Sequence, residues 1–370
     1  MPNQFSIEKA PVVLVPELFR STGGVQVFSR RMIEALDSLF GSPVTVVSRN
    51  DRRSDCPESF LQGRHFSGCG SLPVPARKLA LPAAALRPAA PWYLSTHPNF
   101  ALFLRFQKKP FALVTHGIDV WNMKGTPLAR ALSAATRVLP VSRFTESRMQ
   151  AQLGSLMPPS TVFPNTFDTQ RFTASPSLTP WRQNLHLPED AQVMLSVCRV
   201  STSEAEKGYH LLLSLLPKLF QKHPNLYWVL GGQGDDLCHV KEKAAHLGVS
   251  DRCRFPGFIP DETLPDLYRS SDLFVLPSQK EGFGIVFLEA AATGLPVIAG
   301  NRDGSVDALA NGELGTLVDP TDPTAISNAI SEVIDRPRPD RAVLHQRCAT
   351  LFGQDAFRDR LSHILPEFTA

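Results

Sequence analysis

Two glutamates, Glu281 and Glu289, stand at either end of the run E-G-F-G-I-V-F-L-E, which opens with the closely spaced glycines Gly282 and Gly284. Glycines let backbone amides approach a ligand closely, and a helix that follows them presents unpaired N–H groups and positive potential to an anion. Such a turn suits a phosphate. A carboxylate only accepts hydrogen bonds, so beside an anion site it is matched to neutral hydroxyls, which it grips in a forked manner. Glu281 and Glu289 are therefore candidates to hold two polyols flanking a diphosphate, with Gly282, Phe283 and Gly284 at the phosphates between them. A lone pair of glutamates at this spacing is more often a glycine turn with one solvated and one capping carboxylate. The reading rests on its surroundings.

Residues 272–277, D-L-F-V-L-P, read as a buried strand stopped by proline. Residues 285–293 have helical composition, Gly294 suits the left-handed position that ends a helix, and residues 296–299 read as the next strand. The unit is strand, glycine turn, helix, strand. Upstream, a strand at 193–197 delivers Arg199 at its carboxyl end, and Lys207-Gly208 opens a helix over 209–222. Two cations so placed form a clamp for a diphosphate, the guanidinium through forked bonds and the ammonium as a point charge. Short strands are expected at 227–230, before G-G-Q-G, and at 253–255, before Gly257 and Phe258.

Residues 195–320 resemble the nucleotide-binding half of retaining GT-B glycosyltransferases of family 4. The resemblance is carried by Glu281 and Glu289 in their E-G-F-G setting, the segment from Arg199 to Lys207-Gly208, G-G-Q-G at 231–234, F-P-G-F at 255–258, P-V-I-A at 296–299 and G-T-L-V-D-P at 315–320. It implies that Glu281 lies at the donor sugar's hydroxyls and Glu289 on the nucleotide ribose. It further implies that Arg199 and Lys207 stabilise the leaving diphosphate in place of a metal, and that Gly257 and Phe258 meet the nucleobase mainly through backbone. Two departures stand out: Cys198 occupies a place where glycine is common, and the loop 201–206 is long and carries Glu204 and Glu206.

The first half carries the likeness more weakly. A strand at 11–15 is followed by Gly23-Gly24 and an amphipathic segment at 25–39, in the place of the family's Gly-Gly loop, whose amides approach the donor phosphate. Strands are expected at 44–47, 111–115 and 138–142, with a helix over 143–153. The strand at 111–115 ends in T-H-G-I-D, a context that implies a place for His116 beside the donor sugar, near the reacting carbon. Asp119 is a candidate to orient the imidazole, to contact the acceptor or to cap a turn. P-N-T-F-D at 164–168 resembles the P-N-G-x-D segment that closes the family's first domain, with Thr166 in place of glycine, and a Ser/Thr/Pro-rich linker is expected over 172–187.

This alternation predicts an α/β chain of the GT-B type: two doubly wound Rossmann-like domains facing across a cleft. Residues 1–175 are expected to bind the acceptor and 182–350 the nucleotide sugar. A terminal helix within 352–370, striped with Phe357, Leu361 and Ile364, is expected to return to the first domain.

Net charge is +3, yet residues 1–180 hold 20 Lys and Arg against 10 Asp and Glu, and the remainder 18 against 25. A basic first half would be drawn to anionic lipid or a phosphate-bearing acceptor, although attraction between the halves explains the asymmetry equally well. Residues 76–93 interleave Arg77, Lys78 and Arg87 with leucines, Trp92 and Tyr93, a composition suited to a membrane surface or to an ordinary covering segment; its prolines, including Pro82 and Pro88, argue against a long helix. No apolar run approaches the ~18 residues of a membrane span, and the first residues lack the features of a secretory signal, so a cytoplasmic chain is expected, peripheral on the inner face of the membrane if it meets lipid. Six cysteines at unrelated spacings suggest reduced thiols without metal or cofactor. The basic residues form no recognisable nucleic-acid module.

The expected activity is retaining, metal-independent transfer of a hexose from a UDP- or GDP-linked sugar to a hydroxyl, on a lipid-linked glycan or lipid acceptor. Alternatives are a soluble acceptor, a nucleotide-sugar 2-epimerase of similar shape and a non-catalytic sugar-binding protein. A dinucleotide-dependent dehydrogenase is disfavoured because no clean G-x-G-x-x-G follows the first strand.

Overall fold

A computed structural model describes residues 5–86, 90–337 and 340–369. The chain divides into two compact units, Met1–Thr166 with Gln354–Ala370, and Phe167–Gly353. Among the described residues each unit holds one six-stranded parallel sheet.

In the first unit the strands are β1 (Val12–Val15), β2 (Thr45–Ser48), β3 (Phe66–Gly68), β4 (Tyr93–Ser95), β5 (Phe111–Thr115) and β6 (Arg137–Pro140), in the order β3-β2-β1-β4-β5-β6. The run V-V-L-V of β1 is buried at every position, as in a parallel sheet covered on both faces. The direction of winding reverses between β1 and β4, and the carboxyl ends of strands at such a reversal leave a crevice where ligands bind. The helix Gly24–Phe40 follows β1 and buries Phe28, Met32, Ile33, Leu36, Leu39 and Phe40 at helical spacing before ending at left-handed Gly41. Gln354–Ile364 packs on that helix: the Phe357 ring meets Phe28 at 5.7 Å and Phe163 at 4.7 Å, both edge-on.

Two expectations for residues 76–93 fail. Val74–Leu86 is one helix of 13 residues with Pro82 inside it. Pro75 sits in the first turn, where an N–H is not needed, and Pro82 forfeits one helical bond that the packing of Leu81 and Ala85 into the core offsets. Trp92 and Tyr93 are core residues, 1% and 2% exposed, and Trp92 stacks on Phe368 at 4.5 Å. The large apolar side chains that remain at the surface of this helix are Val74 and Leu79, 59% and 80% exposed; Arg87 and Pro88 lie outside the described residues.

The second unit repeats the first. Its strands β7 (Gln192–Val197), β8 (Leu226–Gly231), β9 (Cys253–Gly257), β10 (Leu273–Leu276), β11 (Val297–Gly300) and β12 (Thr316–Val318) run in the order β12-β11-β10-β7-β8-β9, so the reversal falls between β7 and β10. Met194, Trp228, Val275 and Ile298 from the sheet meet Leu212, Leu216 and Phe220 from the helix Tyr209–Lys222. Residues 172–187, expected as a linker, are fastened to this unit. The Asp266 carboxylate accepts from the Leu178 and Thr179 amides at 3.1 and 3.0 Å, and Arg182 reaches Asp272 at 2.8 Å. Thr166 keeps a negative φ, so its segment does not use the left-handed backbone that glycine would permit.

Candidate active site

The two strands that flank the reversal in the second unit supply the turns that matter. After β10 the chain runs through 277–284 to Gly284, whose φ of 87° precedes the helix Ile285–Ala292. A Cβ there would stand 2.4 Å from the Phe287 ring, so both space and backbone demand glycine. Gly284→Ala is expected to destabilise the protein by about 1–3 kcal/mol, and an unchanged urea midpoint would contradict this packing.

Glu281, in that turn, is 8% exposed and accepts from the Lys207 ammonium. The approach is set by Gly208, whose φ is 86° and whose missing Cβ would meet the Pro277 carbonyl at 2.4 Å. The helix Tyr209–Lys222 can therefore begin hard against the β10 turn, which brings Lys207 to Glu281. Burial alone would lower the Lys207 pKa, but the Glu281 and Glu204 carboxylates outweigh it and hold the ammonium above its ordinary value. Arg199, just past β7, keeps a side chain 71% exposed and lies 3.3 Å from Glu204, which is itself 4.0 Å from Lys207. Arg199, Lys207 and Glu281 thus form one cluster, with Glu204 between the cations.

The backbone of Glu281 is held by Asp303. Its amide donates to the Asp303 carboxylate at 2.7 Å, Asp303 also takes the Ser305 amide at 2.9 Å, and the Gly304 amide donates to the Glu281 carbonyl at 2.9 Å. Burial raises Asp303 to about 6. The sequence offers one signal for this residue: D-G-S just after β11, an aspartate just before the short helix Ser305–Ala308, whose first amide it accepts.

Glu289 has different partners. Tyr268 donates its hydroxyl to Oε2 at 3.0 Å, and burial pushes the carboxyl up to about 7 despite that bond. Gly257, left-handed with φ 75°, closes β9 and accepts the Gly232 amide at 2.8 Å, while Phe258 beside it is 52% exposed. Phe283 turns inward, 2% exposed, with its ring edge-on to Phe352 at 6.0 Å; only its backbone is left for a ligand.

In the first unit, Gly23 and Gly24 are exposed at the start of the helix Gly24–Phe40, and Gly23 is extended. The loop before them is shaped by buried Asp51, which accepts the Leu18, Phe19 and Arg20 amides at 2.7, 3.0 and 3.0 Å. His116 follows β5. Its Nε2 lies 2.9 Å from the Thr96 carbonyl, so that nitrogen carries the proton and Nδ1 a lone pair. Asp119 accepts the His116 amide at 3.1 Å and the Gly117 amide at 2.7 Å, which is the turn-capping alternative. His97, after β4 and within the field of Asp119 and His116, was not singled out by its sequence context; burial lowers its pKa.

Burial also lowers His116 to about 4, so the imidazole is neutral near pH 7. The unfolded chain protonates it near 6.5 and the folded one near 4, so the unfolded state binds more protons between these values and stability falls as pH drops through that window. Urea unfolding of His116→Gln should show a shallower loss between pH 6.5 and 4 than wild type; parallel curves would contradict the assignment. His97 contributes with the same sign. Among the described residues, no cluster of three or more His, Cys, Asp or Glu is arranged to hold a metal.

Residues 179–348 match the family described as glycosyl transferases group 1. This stretch is similar to the group 1 glycosyl transferases. Within the matching stretch lie all the residues of the Lys207–Glu281 cluster, together with Glu289 and Tyr268. A GDP-mannose-dependent alpha-(1-6)-phosphatidylinositol monomannoside mannosyltransferase of Mycolicibacterium smegmatis is 33% identical over 238 residues, 60% of this chain and 60% of that protein. The mannosylfructose-phosphate synthase of Agrobacterium fabrum is 32% identical over 169 residues, 44% of this chain and 37% of its own. Among solved structures, a sucrose-phosphate synthase from Thermosynechococcus elongatus superposes with a TM-score of 0.77 at 20% identity, covering 96% of this chain and 98% of that one. That likeness concerns the fold, and it bears out the GT-B class.

Proposed function

We propose that the chain is a retaining glycosyltransferase that moves a hexose from a UDP- or GDP-linked sugar to a hydroxyl acceptor. The observation that carries the proposal is the placement of Lys207, Arg199 and Glu281 together at the carboxyl ends of β7 and β10, inside the stretch that matches the group 1 glycosyl transferases. The diphosphate takes Lys207 and Arg199, with the amides of Gly282 to Gly284 and the helix that follows. Lys207 then leaves Glu281, whose carboxylate turns to the sugar hydroxyls. Glu289 grips the ribose and Gly257 and Phe258 border the base through their backbone. In the first unit, Gly23 and Gly24 offer amides to an anion, and neutral His116 offers Nδ1 to a hydroxyl, on a turn held by Asp119.

In the step itself, the bond from the sugar anomeric carbon to the diphosphate oxygen breaks and a bond to the acceptor oxygen forms on the same face. The acceptor's proton passes to the departing phosphate oxygen. Charge that builds on the diphosphate meets two cations already in place, a preorganisation that contributes more to rate than any rearrangement would. No metal is required, so EDTA should leave turnover unchanged.

A lipid-linked acceptor is favoured by the basic first half and by exposed Val74 and Leu79 beside Lys78. Arg77 contributes less to a membrane surface, since it is turned back to Gly70, Leu72 and Asn50. The smegmatis relative is named for a phosphatidylinositol acceptor and the Agrobacterium relative for a soluble one, so both belong in the assay. Incubation with UDP and GDP sugars plus each acceptor class should give nucleotide and an α-linked product. Inversion at C2 without acceptor would instead identify an epimerase, and binding without nucleotide release a sugar-binding protein. Sedimentation with liposomes showing no preference for anionic lipid would remove the membrane.

A further inference from the structure

The loop between Arg199 and Lys207 carries a carboxylate where the proposed substrate brings a phosphate. Glu204 Oε1 is 3.3 Å from the Arg199 guanidinium and Glu204 Oε2 is 4.0 Å from the Lys207 ammonium. One anionic group thus spans both cations of the clamp, as a diphosphate would. Its position is set by the loop. Asp235 accepts from the Thr202 amide at 3.2 Å and from its hydroxyl at 2.8 Å, and the Val200 amide donates to the Gln233 carbonyl at 3.1 Å. The second acidic residue of the loop, Glu206, faces elsewhere, toward Lys280 at 3.4 Å.

We propose that Glu204 is a built-in competitor for the diphosphate: it pairs with the Arg199–Lys207 clamp whenever no diphosphate is bound and sets how tightly a nucleoside diphosphate or its sugar is held. The inference rests on the nucleotide-sugar reading of the site. Two consequences follow from the charges alone. Product nucleotide, which carries the same diphosphate, is expelled more readily when a fixed carboxylate returns to the cations. The competition also weakens with salt, because Arg199 is largely exposed and its pairing is screened.

Glu204→Gln keeps the side-chain shape and removes the charge. Calorimetric titration with inorganic pyrophosphate, UDP and GDP should show the variant binding pyrophosphate and the preferred nucleotide about tenfold more tightly than wild type at low salt, with the gap narrowing at 0.5 M NaCl. Glu206→Gln should bind like wild type, and uridine and guanosine, which lack phosphate, should not distinguish the proteins. Equal or weaker pyrophosphate and nucleotide affinity in Glu204→Gln, beside measurable wild-type binding, would overturn the competitor role alone. If neither protein binds any phosphate ligand, the nucleotide-sugar reading falls, and this role with it.

Discussion

Replacing Glu281 with glutamine is expected to lower kcat by about 100-fold while leaving the Kd for the preferred nucleoside diphosphate unchanged or smaller. The carboxylate is nine-tenths buried, and its backbone is fixed by Asp303 and Gly304, so the variant keeps its place. On the proposed placement the variant loses a charged acceptor for the sugar hydroxyls, a contact that would be made more strongly as charge redistributes in the transition state. What is gained is a Lys207 with one fewer carboxylate to leave when the diphosphate arrives. Turnover and nucleotide affinity therefore move apart. A variant with near-wild-type kcat, or one whose nucleotide affinity collapses with turnover, would contradict the placement of Glu281 on the sugar side.

Glu289→Gln is expected to do the reverse: nucleotide Kd rises about 10–100-fold, the range for a hydrogen bond to a charged group, while kcat at saturation changes less. The pH dependence gives a second readout. Burial brings Glu289 to about 7, with Tyr268 and Arg171 pulling it down and Asp261 pushing it up. Ribose hydroxyls are best received by the carboxylate, so the binding-competent fraction of the free protein shrinks as pH falls below that value. Wild-type affinity should drop about tenfold from pH 8 to pH 6 beyond the nucleotide's own titration. The glutamine variant shares the ligand's titration but not the protein's. The difference between the two profiles isolates Glu289, and superimposable profiles would contradict the assignment.

These contrasts depend on geometry that the sequence discloses unevenly. Buried parallel strands read as unbroken apolar runs, so β1, β5, β7, β8 and β10 were legible within a residue or two, as were the helices Arg143–Leu153 and Tyr209–Lys222. Glycines at 208 and 284 announce their turns because no other residue takes those backbones without strain. Tyr268, Asp51 and His97 are not legible, since each faces residues brought to it by another element and no local pattern records that meeting, and the D-G-S of Asp303 says nothing of its bond to Glu281. Phe283 sits in a glycine-rich ligand turn yet spends its side chain on Phe352, across an element distant in sequence. The same holds for Trp92, whose partner Phe368 lies at the other end of the chain. Lys207 reads as a cation for phosphate, but nothing in the sequence records its ion pair with Glu281, 74 residues away.

The most direct test is titration of UDP and GDP into wild type and into Lys207→Met, which keeps most of the unbranched side chain and removes the charge. At least one of the two nucleotides should bind wild type, and its Kd should rise about 100-fold in the variant, because the charge of a half-buried cation proposed to meet the diphosphate has no neutral substitute. Wild type that binds neither nucleotide, or a Lys207→Met protein that binds as tightly as wild type, would contradict a diphosphate site between β7 and β10.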